Sequence, residues 1–162
     1  MLICGGAGFL GSHIARGFAS CGNRVTIVDG LMPGTGGSLD NLADLRHAVE
    51  VRATAVESMD DLPSLVRWAD VVVDAMAWTR HLAALRDPLL DMQLNLASHL
   101  TLIQALRNHP GCLVIYVGSR SQYGRLPAGA ITEDEAVEKS GLTLNELRGR
   151  SFVKILAARR TS

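Results

Sequence analysis

The sequence predicts an α/β fold: a doubly wound parallel sheet with helices on both faces and strand order 3-2-1-4-5. Three observations carry this. Short β-branched runs alternate with longer helical patterns, the order of βαβ units. The runs are apolar almost throughout, as strands covered on both faces are. The first run leads into a glycine-crowded turn that opens a helix, "MLICGGAGFLGSH". At 162 residues the chain is expected to form one domain over 1–162 and to bury a substantial core.

Taken in order, "MLIC" is a short first strand and residues 10–20 a helix that stops at Cys21-Gly22-Asn23. "RVTIVD" is the second strand. The stretch 30–41, "GLMPGTGGSLDN", is loop-like by its glycines and proline and is expected to lie over whatever the glycine turn holds. "AVEV" is a weaker third strand, 59–68 a helix, and "DVVVDA" the fourth strand. A helix over 89–108 ends before His109-Pro110-Gly111 and leads into the fifth strand, "CLVIYVG". Right-handed crossovers between parallel strands give the predicted order.

Composition excludes several classes. Sixteen Lys and Arg balance sixteen Asp and Glu, so no net field recruits nucleic acid or an anionic membrane. Cys4, Cys21 and Cys112 are odd in number and widely spaced, which suits reduced cytoplasmic thiols. His13, His47, His81, His99 and His109 lack metal-ligand spacing and read as surface or helix histidines; no metal site is expected. No apolar run approaches the ~18 residues of a membrane span and no signal peptide is seen, so a cytoplasmic protein is expected.

The glycine turn carries the chemistry. Unpaired N–H groups and the positive dipole end make a helix N-terminus an anion site, and glycines let a pyrophosphate approach the backbone. Gly5, Gly8 and Gly11 fit G-x-x-G-x-x-G, while Gly6, Gly8 and Gly11 fit G-x-G-x-x-G; the spelling alone does not choose between related cofactor folds. Asp29 follows at the end of the second strand, about 20 residues on, where a carboxylate accepts hydrogen bonds from an adenosine ribose. A carboxylate there repels a 2′-phosphate, and no arginine follows until Arg46, so NAD is expected over NADP.

With these residues the chain resembles the extended short-chain dehydrogenase/reductases that act on nucleotide sugars, the epimerases and 4,6-dehydratases, on a Rossmann-like sheet. "GGAGFLGSH", "VTIVDGLMPGTGGSLDNL", "DPLLDMQLN" and "VIYVGSRSQYGR" are the stretches that resemble the family. The resemblance implies that Phe9 and Leu10 lie beside the pyrophosphate, Asp29 on the ribose, and Val56 at the cofactor. It also implies that Ala75 and Ala77 run along the nicotinamide side and that Asn95 lies under the active site. Ser119 is implied as the catalytic hydroxyl, with Lys154 at the lysine position. The implied reaction takes a hydride from a sugar carbon onto NAD while a tyrosine removes the hydroxyl proton. A nucleotide-sugar substrate and a homodimer built on helices 89–108 and 145–160 belong to the same resemblance. The Leu94, Leu100, Ile103, Leu106 spacing fits that interface or a core-facing stripe. Asp74 is read as a turn or supporting acid.

The match breaks at the family's Y-x-x-x-K pair. The tyrosines are Tyr116 and Tyr123, neither followed by lysine four residues later, and Arg150 precedes Lys154 at that spacing. Arginine stays protonated and is no base. Ala55 stands where an aspartate often contacts adenine, and Met76 where a small residue lies beside the nicotinamide. Family members continue beyond this length with a small domain that holds the sugar. The expected function is therefore the NAD-binding part of an epimerase or dehydratase, incomplete for catalysis, or alternatively a non-catalytic dinucleotide-binding module.

Overall fold

The computed structural model describes residues 1–118. Met1–Val117 forms one compact unit. Ser119, Tyr123, Arg150, Lys154 and the helix expected at 145–160 lie outside the described residues.

Strand β1 (Leu2–Cys4) sits at the centre, pairing in parallel with β2 (Val25–Val28) on one side and β4 (Val71–Asp74) on the other. Strand β3 (Val49–Arg52) flanks β2, and β5 (Leu113–Tyr116) flanks β4. The sheet order is β3-β2-β1-β4-β5, as the sequence predicts. Ile3 stands opposite both Ile27 and Val73.

Alternation along these strands builds two cores, because successive side chains leave opposite faces of a sheet. Leu2, Cys4, Val28 and Val72 pack on one face with Leu62, Val66 and Leu102. Ile3, Ile27 and Val73 pack on the other with Ala15, Leu42 and Leu45. Helix α1 (Phe9–Ser20) covers the second face; α2 (Leu62–Trp68) and α5 (Ser98–Leu106) cover the first. The fifth strand departs from its doubly covered reading: Leu113, Val114 and Ile115 are exposed at the margin of the described sheet.

Several element boundaries differ from the sequence reading. Within 30–41 the loop gives way to a 3-10 segment, Leu39–Leu45, whose N-cap Ser38 accepts from the Asp40 N–H. The helix expected over 59–68 starts only at Leu62; a 3-10 turn, Val56–Ser58, precedes it. Pro63, in the first turn of α2, has no N–H to bond a preceding turn and restricts the residue before it. A short α3 (His81–Arg86), not anticipated, follows β4. The helix expected over 89–108 is a continuous helical stretch in three parts: α4 (Pro88–Met92), a π-helical segment Gln93–Ala97, and α5. Its apolar spacing is divided among several surroundings. Leu106 packs against the core, Leu94 lines a cleft and Leu100 is exposed.

Candidate functional site

The cleft lies at the carboxyl ends of the central strands, where the chain turns to opposite faces of the sheet. Gly5 holds a positive φ of 77°, and a Cβ there would lie 2.7 Å from the Ala75 carbonyl oxygen. A Cβ on Gly6 would come 2.6 Å from Ile27 Cγ2, and one on Gly11 would collide with the Gly5 carbonyl oxygen. Gly5, Gly6 and Gly11 are thus glycine because the turn, the strand and the helix meet there. Gly8 differs. A Cβ on it meets only the Gly5 carbonyl oxygen at 3.3 Å, and Gly8 lines the cleft, so a longer side chain would project toward any ligand.

Gly8 is also the N-cap of α1, with no side-chain cap and no acidic residue in the first turn. The first N–H groups of the helix, those of Phe9, Leu10 and Gly11, have no intrahelical acceptor. Phe9 and Leu10 expose their side chains beside this end. An uncapped twelve-residue helix, entered by a turn whose one side chain is the buried Ala7 methyl, fits the pyrophosphate of a dinucleotide.

The turn is held from three directions. The Gly5 N–H donates to the Val28 carbonyl (2.8 Å). The Ala7 N–H donates to Asp29 Oδ2 (2.9 Å), and the Ala7 carbonyl accepts from Asn41 Nδ2 (2.7 Å) and the Ser38 N–H (3.1 Å). Asn41 and Ser38 were not singled out in the sequence. The other oxygen of Asp29 accepts the Leu31 N–H at 2.9 Å. Leu31 has a φ of 49°, a left-handed conformation that costs a side-chain-bearing residue about 1–2 kcal/mol. The Asp29 carboxylate is therefore fixed in orientation while retaining lone pairs toward the cleft it lines. Met32, Thr35 and Gly37, from the loop over 30–41, line the cleft as well.

Val56, Ala75 and Ala77 also line the cleft, with Ala55, Met76, Glu57, Leu94 and Ser98. Asn95 lies in the π-helical segment, and its side-chain amide is turned elsewhere. Its Oδ1 accepts the Trp78 N–H (2.7 Å), and its Nδ2 donates to the Trp78 carbonyl (2.9 Å) and to Asp91 Oδ1 (2.7 Å). Asn95 thus clamps the segment following β4 to the helix. The indole N–H of Trp78 is buried without a partner among the described residues.

Beneath Ala75, Asp74 is buried and its Oδ2 lies 2.7 Å from His99 Nδ1; its Oδ1 accepts the Met76 N–H at 3.2 Å. His99 is a helix histidine, but a core one: it is 2% exposed, with the Tyr116 ring edge-on at 5.8 Å. Burial, and next the Asp74 charge, push the Tyr116 phenol up. Burial, reinforced by Asp74 and Asp29, pushes the Cys4 thiol far above its ordinary range, so Cys4 is a packing residue and not a nucleophile. No group of three or more metal-ligating side chains is present among the described residues. No described helix is long and apolar enough to cross a membrane.

A parallel sheet in this order, with a glycine turn and a bare helix N-terminus at its switch point and an acid ending β2, defines a Rossmann-like dinucleotide-binding domain. Residues 1–147 match the model of the NAD dependent epimerase/dehydratase family. The chain belongs to that family and carries its NAD-binding domain.

Solved structures agree. The UDP-N-acetylglucosamine 4-epimerase of Methanobrevibacter ruminantium is 28% identical with a TM-score of 0.72, over 82% of this chain and 41% of that one. The UDP-glucose 4-epimerase of Thermus thermophilus, solved with NAD, is 25% identical with a TM-score of 0.67, over 82% and 42%. A dTDP-glucose 4,6-dehydratase from Streptomyces venezuelae shares the fold, at 23% identity and a TM-score of 0.73, over 83% and 44%. The chain thus spans about two fifths of the length of these enzymes. No curated protein sequence matches it.

Proposed function

We propose that the cleft binds NAD in preference to NADP and that this chain is the cofactor-holding part of an enzyme acting on a nucleotide sugar. The observation that carries the reading is the uncapped N-terminus of α1 beside the fixed Asp29 carboxylate. The N–H groups of Phe9, Leu10 and Gly11 bind the pyrophosphate. Asp29 accepts from the adenosine ribose and repels a 2′-phosphate. Val56 packs at the adenosine end; Ala75 and Ala77 leave room at the nicotinamide end. NAD supplies a hydride acceptor there. Ser119 orients the sugar oxygen and Lys154 holds the nicotinamide ribose, both by family resemblance. A cytoplasmic homodimer belongs to the same reading; it would use the exposed Leu89, Met92 and Leu100, and sedimentation reads it.

Calorimetry with NAD and NADP is the test. NAD should bind more tightly, and Gly8→Val should weaken both cofactors by filling the approach to the helix end. Equal or tighter NADP binding would overturn the role of Asp29.

One sequence observation favours a second reading. Arg150 stands four residues before Lys154, where a proton-accepting tyrosine belongs, which suits a module that binds the dinucleotide without turning over a sugar.

A further inference from the structure

We propose that Asp74 tilts the cleft toward the oxidised dinucleotide: its buried charge lies under the half of the site that takes the nicotinamide, where it favours the cationic ring of NAD over the neutral ring of NADH. The proposal rests on the NAD-binding reading above and adds to it a residue that selects between the two oxidation states.

Strand order places the two halves of the ligand. The pyrophosphate site is the N-terminus of α1, which follows β1, and Asp29 ends β2 on one side of β1. A dinucleotide with one ribose at Asp29 carries its other half across β1 to the opposite neighbour, β4. Asp74 is the last residue of β4, and the three residues after it, Ala75, Met76 and Ala77, line the cleft. The carboxylates that line the cleft itself, Asp29 and Glu57, follow β2 and β3 on the adenosine side. Asp74 is therefore the acid of the nicotinamide side, set in the floor and 4% exposed.

Its charge is not cancelled by a neighbour. Both oxygens of Asp74 accept, Oδ1 from the Met76 N–H and Oδ2 from His99 Nδ1, which is the bonding of a carboxylate. Nδ1 thus holds the imidazole proton. A second ring proton, on Nε2, would meet no acceptor among the described residues, so the pair keeps the carboxylate's charge. Cys4 and Tyr116 flank Asp74 in the register of the sheet. Burial, and next the Asp74 charge, push both of them up, so they stay neutral and the field of Asp74 is felt along this row of strand ends. Among the described residues no lysine or arginine pairs with Asp74. NAD and NADH share both riboses, the adenine and the pyrophosphate, and differ by a hydride that turns a cationic ring into a neutral one. A fixed negative charge in a floor of low dielectric attracts the first ring and is indifferent to the second.

Titration of the full chain with NAD, NADH and ADP-ribose, which lacks the nicotinamide, tests the proposal. The wild-type chain should bind NAD about three- to tenfold more tightly than NADH, the range of one charge acting across a partly solvated site. Asp74→Asn keeps the size of the side chain and an acceptor while removing the charge. It should bring NAD and NADH to within about twofold of each other by weakening NAD, with ADP-ribose still bound. Asp74→Ser removes the same charge with a smaller group and should give the same ratio, so the answer does not depend on one variant folding. Equal or tighter NADH binding by the wild-type chain would overturn the proposal, as would an NAD preference that persists in a variant still binding ADP-ribose; either result leaves the NAD-binding reading standing. Equal losses for all three ligands in both variants would also overturn it, because Asp74 would then act on the fold alone. If none of the three binds the wild-type chain, the NAD-binding reading falls and this proposal with it.

Discussion

Arg16 presents two donors to Asp44, Nε at 2.6 Å from Oδ2 and Nη2 at 2.8 Å from Oδ1, a fork-on-fork pair between α1 and the 3-10 segment. The hydrogen bonds from Arg16 lower the Asp44 carboxyl to about 2. A depressed carboxyl pKa stabilises the fold above its unfolded value, near 3.8, and that contribution is lost as pH falls through about 2. Both groups face solvent, so the effect should be small and screened by salt. In thermal unfolding between about pH 5 and pH 2, Asp44→Asn should fall less steeply than the wild-type chain, and molar salt should erase the difference. Parallel curves at low salt would refute the assignment. Residues of this kind are hard to read from sequence. Asp29 was legible because a strand end followed by a carboxylate is a local pattern. Asn41 acts on a carbonyl 34 positions away and Ser98 on a carboxylate 41 positions away, so only the folded chain brings them together.

At the scale of elements, apolar spacing announced one helix over 89–108, and a continuous helical stretch is present over most of that range. Its π-helical segment was not legible, because shifting a few backbone bonds from i+4 to i+5 leaves no mark in apolar periodicity. That segment is where Asn95 clamps Trp78 and where Ser98 meets Glu57. Replacing Asn95 by alanine strands the Trp78 N–H and carbonyl in a buried site, at a cost of about 1–3 kcal/mol for each group left unsatisfied. Urea unfolding should register this loss, and NAD affinity should fall as well, because the segment carrying Ala75 and Ala77 is no longer held. Asn95→Asp keeps an acceptor for the Trp78 N–H but loses both donors and faces Asp91, so it should be no better than alanine. Wild-type stability in Asn95→Ala would mean that the clamp is dispensable and that Trp78 is placed by packing alone.

For the whole molecule, strand order was legible because right-handed crossovers and buried parallel strands leave few alternatives once five strands alternate with helices. Chemistry at this scale depends on whether any group can remove a proton as hydride leaves a sugar. Tyr116 is in β5, half-buried, its ring packed edge-to-face with the buried His99 and its phenol pushed up by burial, so it stays protonated. Tyr123 has no lysine four residues on, and Arg150 holds the place before Lys154. A guanidinium accepts no proton near neutral pH. General-base catalysis contributes about 10²–10⁴ in rate, a deficit that a serine hydroxyl without a base does not recover. The chain is therefore expected to bind NAD and to show no steady turnover of a nucleotide sugar, read by nicotinamide absorbance and product chromatography over a panel of UDP- and dTDP-sugars. Arg150→Tyr tests the cause directly: if the missing phenol is what limits the reaction, this variant should gain turnover that the parent lacks. Turnover by the parent chain, abolished by Tyr123→Phe, would sink the prediction and make Tyr123 the base. Turnover in neither chain, with NAD bound to both, would show that the base is not the sole deficit, as expected of a chain that spans about two fifths of the length of its relatives.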